Sequence, residues 1–310
     1  MAHTAKDCTE VNAAGERVDP LTSLKAPTDK VRDGDLFAWW SLEATAVDAL
    51  QTRPVEYFHR LTQVVEDKYG ERSLADVPNA GGGLASYHSL VNPGVPIPAA
   101  AIAVHGITDA EVADAPSVVA VADAAVAHIA AVVAEHRKAG RPAPRVWSVG
   151  HNSDSYDMVC MEQRLGAKEP GGVGWVGRLQ AAGVVGTIDT QKILSKKYFG
   201  GALQHLGFNG SNGSLGKIYK VVIGEELPNA HRAAGDVNGG IEVVKRSNEM
   251  KELILTKKVG RLLNGWSQRQ RQLKERRDYV AEMRERANIV GPYEGPADAR
   301  APDSPPAQEP

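Results

Sequence analysis

Leu36-Phe37-Ala38-Trp39-Trp40-Ser41-Leu42-Glu43 follows the turn pair Asp33-Gly34 and is apolar over almost all of its length. A strand with one solvated face would alternate apolar and polar residues. A continuous run therefore reads as a strand covered on both sides, as in a sheet flanked by helices. The polar exceptions, Ser41 and Glu43, are two residues apart, so their side chains leave the strand on the same face and share one location.

Working outward, residues 55–65 and 85–91 are further strand candidates separated by the Gly81-Gly82-Gly83 break, which predicts an antiparallel meander. Residues 117–136, rich in alanine and valine, predict a helix with Ser117 as N-cap and Gly140 as stop. Residues 145–149 read as a parallel strand, followed by a helix capped by Ser153 or Asp154 and running to about Leu165. A strand over 184–188, a helix over 214–223 and a helix over 231–246 complete the pattern. Strands first, then alternating strands and helices, give an α/β sheet with helices on its faces.

The bulk numbers narrow the function classes only partly. With 310 residues, 42% hydrophobic and 24% charged, the chain can bury a large core, and its net charge of -2 supplies no global attraction to nucleic acid. Cys8 and Cys160 lack a nearby second thiol, so neither a disulfide nor a zinc framework is expected. No uninterrupted run of about 18 apolar residues is evident. His3, Lys6, Asp7 and Glu10 leave no signal-peptide core. The expectation is an intracellular, soluble, cytoplasmic protein without a membrane partner. The organisation predicted is a flexible leader over 1–33, a folded domain over 34–247, a basic helical extension over 248–290 and a disordered tail over 291–310.

Three polar segments stand out: Ser41-Leu42-Glu43, the stretch from Gly150 through Tyr156-Asp157, and His231-Arg232-Ala233-Ala234-Gly235-Asp236. Asp157 follows a parallel strand, which places it at the carboxyl edge of the sheet where open α/β sheets bind ligands. His231 and Asp236 would stand about 140° apart on one helix. If His231 instead precedes the helix, Asp236 can face a site while the imidazole reaches in from the side. Three carboxylates and an imidazole brought together suit divalent-metal phosphodiester cleavage.

These motifs resemble those of the DnaQ-like, or DEDDh, three-prime to five-prime exonucleases, and within them the TREX-like three-prime repair exonucleases. Leu42-Glu43-Ala44-Thr45 is similar to the first motif, His151-Asn152 with Tyr156-Asp157 to the second, and His231 with Gly235-Asp236-Val237 to the third. Leu90-Val91-Asn92-Pro93-Gly94 and Val104-His105-Gly106-Ile107-Thr108-Asp109 resemble the segment leading to the nucleotide pocket, and Ser214-Leu215-Gly216-Lys217-Ile218-Tyr219 the stretch before the last motif. The likeness covers roughly residues 35–247.

The resemblance implies a ribonuclease H-like mixed five-stranded sheet flanked by helices, with a charged C-terminal helix beyond it. It implies two Mg²⁺ or Mn²⁺ ions held by Glu43, Asp157 and Asp236, with His231 as general base. It also implies contacts to the terminal nucleotide from Ala44, Val47, His105 and Tyr156. The implied partner is nucleic acid, single-stranded DNA or three-prime ends with RNA left open, and the resemblance leaves room for a homodimer.

Two departures from the motif matter. Ser41 stands where the family carries a metal-bridging aspartate, and Ala46 replaces the glycine after the threonine. A hydroxyl is a much poorer ligand for a hard cation than a carboxylate. Either Ser41 is a substitution that impairs an otherwise complete exonuclease, or the chain is a degenerate relative that binds nucleic acid without cutting it. The basic residues over 251–288 read as a solvated helix, a nucleic-acid-binding arm or a partner helix, although Leu262, Leu263, Trp266, Leu273, Val280 and Met283 keep no strict heptad.

Overall fold

The computed structural model describes residues 10–11, 17–18, 28–79, 81–138, 143–165, 173–195, 201–209, 212–257 and 260–263. Cys8, most of the leader, the basic stretch after residue 263 and the 291–310 tail lie outside these. Within the leader, Glu10–Val11 and Arg17–Val18 pair antiparallel.

Among the described residues one mixed sheet is ordered Thr28–Asp29, Gly260–Leu262, Val184–Asp189, Val146–Gly150, Leu36–Ala44, Pro54–Glu66 and Arg72–Asp76, with Ser86–Leu90 also paired to Pro54–Glu66. Leu36–Ala44 runs parallel to Val146–Gly150, which runs parallel to Val184–Asp189, and antiparallel to Pro54–Glu66. This is the ribonuclease H-like core expected from the sequence. It is wider than the expected five strands, because Gly260–Leu262 joins Val184–Asp189 antiparallel and Thr28–Asp29 joins Gly260–Leu262.

The Leu36–Ala44 strand is buried on both faces for the reason its composition suggests. Leu36, Ala38, Trp40 and Leu42 enter one core with the helices Val118–Lys138, Asp157–Leu165 and Trp175–Ala181. Phe37 and Trp39 enter a second core with the helices Leu215–Ile223, Ala233–Arg246 and Asn248–Thr256. Both indoles find partners, as buried Trp N–H groups require: Trp39 donates to Thr62 Oγ1 at 2.9 Å and Trp40 to Ser148 Oγ at 2.7 Å. Odd positions of the strand thus face Ala233–Arg246, and this alternation sends Ser41 and Glu43 toward the helix that carries Asp236.

Three sequence expectations change. The helix after Val146–Gly150 starts at Asp157, not at Ser153 or Asp154. Asp154 is instead buried among Lys192 Nζ at 2.8 Å, Thr187 Oγ1 at 2.8 Å and Arg261 Nη1 at 3.3 Å, so its carboxylate is taken up by distant cations and is not a helix cap. The segment after residue 248 opens with a helix, Asn248–Thr256, that buries Met250, Ile254 and Leu255, and then enters the sheet. A Cβ on Gly260 would meet the Trp147 ring at 2.2 Å, so only glycine lets this strand lie over the indole. The helix Val118–Lys138 has the length and, with a mean hydropathy of 1.9, the composition to cross a membrane. Its apolar residues Val121, Ala125, Ile129 and Val133 nevertheless pack in the protein core.

Candidate active site

The parallel strands Leu36–Ala44, Val146–Gly150 and Val184–Asp189 all end at one edge of the sheet, and the polar segments collect there. Glu43 is 8% exposed and sits on Leu36–Ala44 directly opposite Glu56. Asp157, 5% exposed, occupies the first turn of its helix and accepts the Leu42 backbone N–H at 3.0 Å, which ties the second motif to the first. Asp236 lies in the first turn of Ala233–Arg246 and accepts the His231 N–H at 3.3 Å.

His231 stands before the helix, exposed, in the left-handed region at φ 62, and Asn229 shares that conformation at φ 51. Such residues cost roughly 1 kcal/mol or more each and persist where surrounding contacts hold them. The turn is pressed onto the helix: a Cβ on Gly235 would fall 2.1 Å from the Asn229 carbonyl oxygen. His231 is therefore presented beside Asp236 from the loop, the arrangement in which both can face one site.

Electrostatics tie the three carboxylates together. Burial first, then Asp236, Glu56 and Asp157, push Glu43 up to about 8. Burial, with Asp189 and Asp236 behind it, pushes Asp157 up to about 7. Burial also raises Asp236, against the opposing His231 N–H. Groups that raise one another's proton affinity in this way lie within electrostatic reach of one another, and hard carboxylate oxygens are the donors Mg²⁺ and Mn²⁺ prefer. Among the described residues, however, no three His, Cys, Asp or Glu side chains draw together into a closed ligand set. Ser41 lines a small cavity of about 60 Å³ together with Asp236, Gly150, Thr190 and Gly240. A water occupies about 30 Å³ of liquid, so the room beside Ser41 is enough for a larger polar side chain.

Glu43 and Asp157 bind protons more tightly in the folded chain than in the unfolded chain, where carboxylates titrate near pH 4. Without cations their contribution is fully present below that range and is lost as pH rises through about 7 to 8. Thermal melts in EDTA should therefore show stability falling over this window. Added Mg²⁺ should raise the midpoint more at pH 8 than at pH 5, and an equal effect at both would contradict shared cation binding.

The residues matched to a nucleotide pocket are placed less uniformly. Val47 is 96% exposed in the loop after Leu36–Ala44, beyond a register shift between Glu43 and Ala44. The Tyr156 hydroxyl donates to the Ala46 carbonyl, which fixes that loop from the second motif. His105 is buried, and its Nδ1 accepts the Ile107 N–H at 3.0 Å, which puts the ring proton on Nε2. That nitrogen lies beside the Ala44 backbone too poorly placed for a full hydrogen bond. His151 is structural, bonded to Thr190 Oγ1 at 2.9 Å and the Gly213 carbonyl at 2.7 Å.

Two important residues escape the sequence reading. Asp189 orders the second-motif loop by accepting the N–H groups of Asn152 and Asp154. Glu56 binds Arg232, Ala233 and His88. In Glu56 the only available signal was a lone carboxylate at the start of an apolar strand.

No family model and no curated protein matches the chain. Among solved structures it resembles E. coli exonuclease I in complex with a dT13 oligonucleotide, at 17% identity and a TM-score of 0.43, over 68% of this chain and 40% of that one. It also resembles a 3'-exonuclease in a structure of 3'-end specific recognition of histone mRNA stem-loop, at 11% identity and a TM-score of 0.46, over 77% and 70% of the two chains. A full-length 3'-exonuclease matches at 13% identity and a TM-score of 0.46, over 75% and 65%. The chain thus spans two fifths of the length of exonuclease I. These are likenesses of chain path, at identities too low to transfer any residue's role.

Proposed function

We propose that this chain is a DnaQ-like three-prime to five-prime exonuclease that hydrolyses phosphodiester bonds at the ends of single-stranded nucleic acid, impaired by Ser41. The observation that carries the reading is the convergence of Glu43, Asp157 and Asp236, from segments far apart in sequence, at the sheet's carboxyl edge beside a turn that presents His231. Nothing singles out the TREX-like subgroup. A homodimer stays part of the reading only through the motif resemblance.

Glu43, Asp157 and Asp236 would hold divalent cations, with the Ser41 hydroxyl at the remaining position. Such cations, when bound, offset the charge of the phosphodiester under attack. The imidazole of His231, exposed to solvent beside Asp236, accepts the proton of the attacking water. Exposed Val47 and the Ala44 backbone would contact the terminal nucleotide, and Tyr156 holds the loop between them. His105 Nε2 offers a further donor beside the Ala44 backbone.

The test is a 5'-labelled single strand incubated with the protein and Mn²⁺: a ladder of products shortened from the three-prime end is expected, and internal cuts would contradict it. His231→Ala, made in a Ser41→Asp protein, should slow turnover by about a hundredfold or more, the usual worth of a general base. The Mg²⁺-dependent rise in melting temperature should survive that change, and its loss would make His231 a ligand. One observation favours a second reading, a non-catalytic nucleic-acid-binding module: Ser41 itself. That module would bind single strands in EDTA, lose affinity steeply with salt and stay inert as Ser41→Asp.

A further inference from the structure

We propose that Glu56 is a positioning residue that fixes His231 and Asp236 by clamping the start of the helix that carries them, an inference that rests on the exonuclease reading for its functional consequence. Glu56 is 1% exposed at the beginning of Pro54–Glu66, directly across from Glu43. Its Oε1 accepts from Arg232 Nη2 at 2.7 Å and lies 2.8 Å from His88 Nε2. Its Oε2 accepts from Arg232 Nε at 3.1 Å and from the Ala233 N–H at 2.9 Å.

Arg232 is the N-cap residue of Ala233–Arg246 and its own side chain caps nothing. The orphan N–H at the first helical position is satisfied instead by a carboxylate from a strand 177 residues earlier. A negative charge at this place also complements the positive end of the helix dipole. The residues on either side of the clamp are His231, held at φ 62, and Asp236, which accepts the His231 N–H. Fixing Arg232 and Ala233 therefore fixes the strained turn between them and the site.

Proximity to Glu43 raises the question of whether Glu56 replaces the missing aspartate as a cation ligand. Its environment argues otherwise. Four donors already engage the two oxygens, and the bidentate guanidinium keeps Glu56 ionised below the usual carboxylate range despite its burial. A carboxylate so engaged is committed to the protein.

In the Ser41→Asp protein, Glu56→Gln should lower kcat by about ten- to a hundredfold, the worth of one charge-assisted contact, and leave KM within about threefold. Arg232→Gln should do the same, and the double variant should be no slower than the worse single one, because both break one clamp. Amide hydrogen exchange at residues 231–236 should speed up by at least about tenfold in either variant, while Val146–Gly150 stays protected. If Glu56→Gln does not fold, Arg232→Gln reads the same clamp from a partly exposed side chain. Unchanged exchange at 231–236, or a uniform loss of protection across the sheet, would overturn the proposal. Exchange needs no turnover, so an inert Ser41→Asp protein that still shows local loosening would sink the exonuclease reading and spare the clamp.

Discussion

Ser41→Asp is expected to raise Mn²⁺-dependent shortening of a single strand from its three-prime end by at least about a hundredfold, a few kcal/mol of barrier at 1.4 kcal/mol per factor of ten. The reasons are local. Ser41 leaves the strand on the face of Glu43, because the odd residues Phe37 and Trp39 enter the core that contains Ala233–Arg246. It borders a cavity of about 60 Å³ that Asp236 also lines, so an aspartate has space without displacing the strand. A carboxylate there would add to the anionic groups already gathered at the carboxyl edge. It should lower stability in EDTA at neutral pH and raise affinity for divalent cations. A rate unchanged from the starting protein, measured on the same labelled strand, would remove the enzymatic reading.

Glu43→Gln, in that restored protein, is expected to reduce turnover by about a thousandfold or more, since a neutral amide neither neutralises nor tightly ligates a hard cation. Its effect on the fold should have the opposite sign. Glu43 is pushed up to about 8 by burial and by Asp236, Glu56 and Asp157, so at pH 8 its ionised form opposes folding. An isosteric amide removes that repulsion, and the cation-free protein should melt higher at pH 8 and nearly unchanged at pH 5. Loss of activity with gain of stability marks a site whose charge is kept for function. A variant that melts lower at pH 8 would show Glu43 to be a structural carboxylate.

The core of the fold was legible in the sequence because its strands are apolar runs bounded by glycine turns. Leu36–Ala44 needed no partner information: covering on both faces removes the alternation and leaves Phe37, Ala38, Trp39 and Trp40 in succession. The edge strands were not legible. Thr28–Asp29 and Gly260–Leu262 are two and three residues long, below any periodic signal, and Gly260–Leu262 exists because glycine admits the Trp147 ring. The helix start at Asp157 was misplaced because Asp154 has the chemistry of a cap but spends it on Lys192 and Arg261, contacts invisible to a local rule.

The site divides in the same way. Motif order singles out Glu43, Asp157, His231 and Asp236 as candidates, and the 140° mismatch with Asp236 left the place of His231, on the helix or before it, open. What orients them could not be found in this way. Glu56 meets Arg232 176 residues later, and Asp189 meets Asn152 across two strand ends, so each looks unremarkable in its own neighbourhood. Sequence spacing locates groups that share a strand or a helix, whereas positioning residues act through tertiary hydrogen bonds.

Everything proposed here depends on one set of carboxylates gripping cations together. Mn²⁺ titration followed by electron paramagnetic resonance measures this without substrate. The account predicts saturable binding of two ions to the Ser41→Asp protein at pH 8, lost in Asp236→Asn and retained in His231→Ala. Binding that is absent, or that survives Asp236→Asn undiminished, would contradict it.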